Sequence, residues 1–279
     1  MLTSAPYPWS CPVCQLALIC GEHRWYCENN HSFDVAKSGY SNLLLANHKA
    51  SKQPGDSPAM LQARRHFLAE GHFEPIVAAI ADELNNSYTH VEANHCKYLL
   101  DIGCGEGYYL SQLLPRLHHN WQTAGLDIAK TGVQMAAKRH PKSIWVCASS
   151  ARIPVLDHSL NALLRIFAPS DAAQSHRVLG AQGVLITVTP AARHLYELKR
   201  ALYDSVRLHE KAKTPENFEL QHEREVNYEI HLTHSEDINS LLSMTPFLWR
   251  GQQTGRASLL QREQLRVQVS VTVSVYRPL

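Results

Sequence analysis

The chain has almost no net charge. Its 27 Lys and Arg against 25 Asp and Glu leave +2 over 279 residues, so no strong global field is expected. It contains no apolar run of membrane-spanning length. No basic-plus-apolar leader precedes residue 30, and the expectation is a cytoplasmic chain. Its seven cysteines are an odd number, which argues against a disulfide framework and for reduced thiols or metal ligands. The 17 histidines form no obvious pattern beyond His31 and the pair His118-His119, and read as ordinary surface and core residues. What is present in quantity is length. It suffices for one full α/β domain plus a small appendage, with a core that needs no covalent staples.

Charge is uneven locally. From Asp34 to His66, Lys37, Lys49, Lys52, Arg64 and Arg65 face only Asp34 and Asp56. From Phe247 to Leu279, Arg250, Arg256, Arg262, Arg266 and Arg277 face Glu263 alone. Both segments suit phosphate contact, and both equally suit a solvated surface.

Four residues of metal-binding type fall near the start as C-x2-C-x12-C-x3-H: Cys11, Cys14, Cys27 and His31. This is a Cys3His set with structural-zinc spacing. Arg24-Trp25-Tyr26 between the knuckles reads as a short strand, so a small zinc ribbon is expected. With all four positions filled by protein there is no place for a metal-bound water, and the zinc is read as structural. Cys20 lies between the knuckles but forms no compact pair with them. A redox C-x-x-C would instead sit at a helix start in a thioredoxin-like unit, and no such unit is visible.

Further on, Leu99-Leu100-Asp101-Ile102 is an apolar strand that runs into Gly103-Cys104-Gly105-Glu106-Gly107. A second apolar unit, Thr123 to Leu126, ends in Asp127, 26 positions after Asp101. Strand, glycine turn, helix, strand and acid make up a nucleoside-binding half of a doubly wound sheet. The glycines let backbone approach a ligand where a Cβ would collide. Asp127 has the reach and the acceptors for two ribose hydroxyls. The spacing, G-x-G-x-G after an acid, resembles motif I of the class I S-adenosylmethionine-dependent methyltransferases. It implies cofactor contacts from Asp101, Gly103, Gly105, Gly107 and Asp127. The bland reading is a structural βα turn in an unrelated α/β protein.

More strands are expected at Ile144–Ala148, Ala162–Ile166 and Val184–Val188, each ending in Ser, Phe-Ala-Pro or Thr-Pro and separated by helical patterns. Val267, Val269, Val271, Val273 and Val275 alternate with polar residues, which suits an antiparallel strand added to the sheet. Ahead of the glycine motif, Pro54-Gly55-Asp56 marks a turn or mobile loop. A helix then opens at Ser57-Pro58 and stops at Gly71, and a second runs from Phe73 to Leu84. The organisation predicted is a zinc-binding ribbon over residues 1–45, a loop and helical connector over 46–95, and a methyltransferase domain over 96–279. The fold class is α/β, Rossmann-like, with an N-terminal zinc ribbon.

Taken together, these segments resemble the bacterial large-subunit rRNA guanine-N1 methyltransferases over almost the whole chain. The most specific pieces are Asp101-Ile102-Gly103-Cys104-Gly105-Glu106-Gly107-Tyr108-Tyr109, Arg193-His194-Leu195 and Met244-Thr245-Pro246-Phe247, beside the cysteine cluster, Pro54-Gly55-Asp56-Ser57 and Gln62-Ala63-Arg64-Arg65. The resemblance implies methyl transfer from S-adenosylmethionine to N1 of a guanine in an rRNA hairpin loop, RNA recognition by the ribbon, and often a homodimer. It implies cofactor contacts at Gly105, Glu106, Phe73 and His194, with Phe73 standing where a tyrosine can occur. Members differ in which guanine they modify, and some protect against macrolides.

Guanine N1 carries a proton at neutral pH, so a base or an enol-stabilising donor is useful. His194 follows a strand at the cofactor face; Asp171 follows Phe167-Ala168-Pro169-Ser170, where its other reading is a helix cap. Neither is assigned. Lys37, Lys49, Lys52, Arg64 and Arg65 are candidate phosphate contacts, although both arginines can instead pair with Glu70 and Glu74. Two other functions compete: a small-molecule methyltransferase, which needs no zinc ribbon, and an inactive zinc-containing RNA-binding protein, which need not keep Asp101, Gly103, Gly105 and Asp127.

Overall fold

The structure, a computed structural model, describes residues 7–45, 55–89, 96–169, 171–247 and 252–279. Three short strands come first: β1 (Ile19–Cys20), β2 (Arg24–Tyr26) and β3 (Ser32–Asp34), paired antiparallel in that order. The next strand, β4 (Tyr40–Asn42), leaves the ribbon and runs parallel to β7 (Ile144–Cys147). It is the outermost strand of an eight-stranded sheet ordered β10-β11-β9-β8-β5-β6-β7-β4. The segment read from sequence as a separate ribbon therefore hydrogen-bonds directly into the large sheet.

The centre of that sheet is parallel: β5 (Lys97–Ile102) lies between β6 (Trp121–Asp127) and β8 (Leu160–Ile166). Strand order reverses at β5, so a crevice opens beyond the carboxyl ends of β5 and β8. β9 (Leu179–Pro190) continues the parallel set. β11 (Leu265–Pro278) then pairs antiparallel with β9, as its alternating valines predict. Beyond it lies β10 (Phe218–Leu232), an edge strand not expected from the sequence. Most of its residues are charged or polar, which discourages edge-to-edge association but hides the apolar alternation that identifies a strand.

Successive residues of each central strand serve opposite faces. Leu99, Ala162, Leu164, Val184 and Ile186 pack against α1 (Pro58–Ala69), α2 (Glu74–Ser87) and α4 (Lys130–Arg139). Ser57 caps α1 by accepting from Met60 N–H at 3.2 Å, with proline following at the first position. The short helices α3 (Tyr108–Leu113), α5 (Ala172–Val178) and α6 (Tyr196–Leu202), with α7 (Ser235–Ser243) and α8 (Gln253–Leu260), complete the described α-helices, and a 3-10 turn at Leu114–Arg116 follows α3. On the other face, Leu100, Ile102, Leu163 and Leu185 meet Tyr7, Trp9 and Trp25 from the ribbon end.

Trp9 is the joint between the two parts. Its indole is fully buried, stacked on Trp25 at 5.9 Å and tilted against Tyr7 at 4.8 Å. Tyr7 Oη donates to the carbonyl of Leu99 in the central strand (3.0 Å), and Ser10 N–H donates to Pro154 O (2.9 Å). Trp9→Ala should cost about 3–5 kcal/mol, the range for removing a large buried ring. Denaturant unfolding followed by tryptophan fluorescence measures it; a loss below 1 kcal/mol would show that the joint carries little of the stability.

Candidate functional site

The carboxyl end of β5 delivers Asp101 and Ile102, both buried, to the crevice. The chain then turns through Gly103, Gly105 and Gly107 at φ of 72°, 54° and 86°, a region that favours glycine. A Cβ on Gly107 would lie 2.7 Å from Trp145 and 2.9 Å from Ala136, so β7 and α4 close tightly beneath the turn. A Cβ on Gly105 would instead point to the open crevice, with only Arg64 Nη1 near it, at 3.5 Å. Asp127, at the end of β6, pins this turn from beside it. Its Oδ2 accepts from Gly105 N–H (2.8 Å) and its Oδ1 from Ala129 N–H (2.7 Å).

The crevice is a cleft of about 910 Å³ with two chemically different ends. At one end stand the glycine turn, Glu106, Asp127, Asp56 and Arg64. Glu106 is buried and ion-paired to Arg139 at 3.1 Å. Arg64 pairs with Asp56 and donates from Nη2 to the carbonyl of Met244 at 3.3 Å. At the other end stand Phe73, Phe167, His194, His209 and Phe247. Phe167 has φ of 53° and an exposed ring, an unusual backbone for an aromatic residue. Its ring lies 24° from coplanar with that of His194 at 5.6 Å, and 6.3 Å from that of Phe73.

Burial governs the charges here. It pushes the Asp101 carboxyl up to about 8, with Asp127 adding repulsion. Asp101 Oδ2 is buried and has no hydrogen-bond partner among the described residues. Burial also raises Asp127, against the pull of its two backbone N–H partners, and Glu106, against Arg139. It drives His194 down to about 3, helped by His209 and Lys199. The His194 ring is therefore neutral. Its Nδ1 accepts from Ser270 N–H at 3.3 Å, which places the ring proton on Nε2 and makes His194 a hydrogen-bond donor.

The cleft thus gathers Phe73, Gly103, Gly105, Glu106, Asp127 and His194, while Gly107, in the same turn, faces Trp145 and Ala136 and Asp101 is not among the lining residues. Asp171 is elsewhere. It is exposed and caps α5, accepting from Ala173 N–H (2.8 Å) and Gln174 N–H (3.3 Å). The basic set is split: Lys37 and Arg65 are exposed, whereas Arg64 enters the cleft. Its acid partner is Asp56, not Glu70 or Glu74, and Glu74 pairs instead with Arg116 at 2.5 Å. Lys49 and Lys52 lie outside the described residues. Two lining residues went unread in the sequence. Arg165 is a lone charge inside an apolar strand, a signal that was available; His209 stands in a polar stretch without periodicity, which offers none.

The second centre is the cysteine cluster. Ligand atoms of Cys11, Cys14, Cys27 and His31 all lie within 4.8 Å of one another. Cys27 Sγ is 3.4 Å from His31 Nδ1, Cys14 Sγ is 3.6 Å from Cys27 Sγ, and Cys11 Sγ is 3.6 Å from His31 Nδ1. A tetrahedral zinc shell with bonds of about 2.0–2.3 Å has edges close to these lengths. Cys20 is exposed on β1 and is not among the four.

Protein purified without chelator should carry one zinc per chain, and Cys14→Ala should lose it. Elemental analysis decides; a metal-free wild type would remove the zinc assignment. A second expectation concerns Asp101. Burial raises its folded-state pKa above its unfolded value of 3.8, so its contribution to stability is complete below about pH 4. That contribution is lost as pH rises through about 8. Asp101→Asn, which cannot ionise, should therefore melt above wild type at pH 8, with the difference closing toward pH 4. A difference independent of pH would contradict the buried acid.

Comparison with known proteins agrees with both centres. Residues 9–52 match the model for "RlmA, N-terminal", a zinc ribbon, and residues 99–183 match a methyltransferase domain model. A putative 23S rRNA (guanine-N(1)-)-methyltransferase of Bacillus subtilis is 32% identical, over 95% of this chain and 94% of its own. A 23S rRNA (guanine(748)-N(1))-methyltransferase of Streptomyces fradiae is 31% identical over 96% of both chains. A putative 23S rRNA (guanine-N(1)-)-methyltransferase of Micromonospora griseorubida is 30% identical over 96% of this chain and 97% of its own. The similarity to these relatives runs along essentially the full length, and the chain belongs to the RlmA-type family of 23S rRNA guanine-N1 methyltransferases.

Proposed function

We propose that this chain methylates N1 of a guanine in a hairpin loop of large-subunit rRNA, with S-adenosylmethionine as donor. The observation that carries the reading is the division of one cleft into a glycine-and-acid end and an aromatic-imidazole end. The first end fits the cofactor. The turn at Gly105 leaves room for close backbone approach, Asp127 keeps lone pairs for ribose hydroxyls, and Arg64 is a cation within reach of a carboxylate. Bound there, S-adenosylmethionine supplies an electrophilic methyl group whose sulfonium leaves as a neutral thioether. The second end fits a flat acceptor: the exposed ring of Phe167 offers a stacking face, and His194 Nε2–H is a donor for a purine oxygen.

N1 lies on the Watson–Crick edge, so the guanine must be unpaired and turned into the cleft. A hairpin loop makes that inexpensive. The ribbon, joined to the sheet at Trp9, supplies a rigid second surface for the RNA, and exposed Lys37 and Arg65 are available to phosphates. An rRNA substrate supports a cytoplasmic location; separately, no described helix is long and apolar enough to cross a membrane. A homodimer belongs to the same reading.

Mass-spectrometric mapping of 23S rRNA from cells with and without the gene should show one N1-methylguanine that depends on it. Complementation with Gly105→Val should fail to restore the mark, because a branched side chain at φ 54° blocks the cofactor's approach. By calorimetry that variant should bind no S-adenosylmethionine, and Asp127→Ala should bind it about 1–3 kcal/mol more weakly. An unchanged rRNA in the deletion strain would refute the function; unchanged affinity in both variants would refute the site.

A further inference from the structure

Beside the acceptor end of the cleft are two nitrogens with nothing to do. His209 lines the cleft, and its Nε2 is buried without a hydrogen-bond partner among the described residues. Lys199, on α6 behind it, is 4% exposed, and its Nζ is likewise buried and unpartnered. Buried polar atoms are almost always paired, and leaving one unpaired costs about 1–3 kcal/mol. An orphan nitrogen on the wall of the cleft, with a second behind it, marks a place where a ligand completes the hydrogen bonding. The His194 ring stands 6.4 Å from that of His209, but its own Nδ1 is already engaged by Ser270. His209 is the imidazole in the cleft left with a buried, uncommitted ring nitrogen.

We propose that His209 is the general base that takes the N1 proton of the acceptor guanine, and that Lys199 is a positioning residue that sets its basicity. This rests on the reading of the cleft as a guanine-N1 methyltransferase site. The step balances. The lone pair of neutral His209 Nε2 takes the N1 proton as N1 bonds to the methyl carbon, and the carbon–sulfur electron pair stays on sulfur. The positive charge lost from the sulfonium reappears on the imidazolium. His209 is part-buried, between exposed Leu208 and Glu210.

The charged and titratable groups around it set the pH range. Lys199 on α6 and His194 on the turn after β9 lie near it, and Arg165 lines the same cleft. On its own segment, Arg207 is paired with Glu210, and Lys211 with Glu223. Burial, with Lys199 adding to it, holds His209 below the usual histidine range. The ring is then neutral, and its lone pair free, at neutral pH. A base in this state gives a rate that is flat above neutrality and falls in acid.

The test is single-turnover methylation of an unmodified 23S rRNA transcript across a pH series, with wild type, His209→Asn, His209→Gln and Lys199→Met. Calorimetry of S-adenosylmethionine binding and melting curves accompany each variant. Wild type should methylate guanine N1 with a flat profile above neutrality. His209→Asn should be slower at pH 7 by about 10²–10⁴-fold, with a deficit that narrows as pH rises and hydroxide replaces the base, at unchanged cofactor affinity. His209→Gln gives the same readout should the shorter amide fail to fold. Lys199→Met should move the acid limb to higher pH, because removing a nearby positive charge makes His209 more basic.

Histidine variants with wild-type rates, or with a uniform loss that keeps the wild-type profile, would overturn the proposal. Loss of cofactor binding in those variants would also overturn it, by assigning His209 to the cofactor. A wild type that methylates no guanine N1 would instead overturn the reading on which the proposal rests.

Discussion

The carboxylate of Asp127 holds the site together. It accepts from Gly105 N–H on one side and Ala129 N–H on the other, and so fixes the left-handed turn after β5 against the start of α4. The turn cannot rest on side chains, since its glycines have none, and it cannot form a regular helix start at these backbone angles. Without an acceptor at the tip of β6, the backbone that should approach a cofactor would have nothing to hold its shape. Parallel pairing of β5 with β6, residue against residue from Lys97 to Ile102, is what brings Asp127 to that point.

Around this anchor, burial makes the acids unusual. Asp101, Asp127 and Glu106 are all raised above their ordinary range by desolvation. Such groups are costly in the empty fold and gain when a ligand with hydrogen-bond donors and positive charge arrives. At the opposite end of the cleft burial has the reverse effect, and keeps His194 and His209 neutral. One cause, burial, thus makes the two ends chemically different: acids raised above their ordinary range at one, neutral imidazoles at the other.

The zinc ribbon is part of this architecture. Its metal ligands fold a segment too short to bury a core of its own. Trp9 and Tyr7 then seat it against the sheet face opposite α1 and α2, and β4 extends the sheet itself. Packing at Trp9 and pairing of β4 with β7 thus tie the ribbon to the same sheet whose strand ends form the cleft.

Much of this is written locally in the chain. The C-x2-C-x12-C-x3-H spacing is enough to name four ligands, because knuckle geometry depends on neighbours in sequence. Glycines bounded by Asp101 and Asp127, and the alternating valines of β11, are equally local signals. Other features are not. β10 is an edge strand whose solvent-facing charges conceal its period, and β4 is three residues that become a strand only because β7 lies alongside. Arg64 reads as one of several surface cations until the fold sets Asp56 and Met244 around it. His209 stands in a polar stretch and Lys199 on a short helix, and only packing leaves their side-chain nitrogens buried without partners, His209 on the cleft wall and Lys199 behind it. Short-range spacing makes the two centres legible along the chain. Which charges are buried, and what they face, emerges only on folding, because desolvation depends on what distant segments bring near.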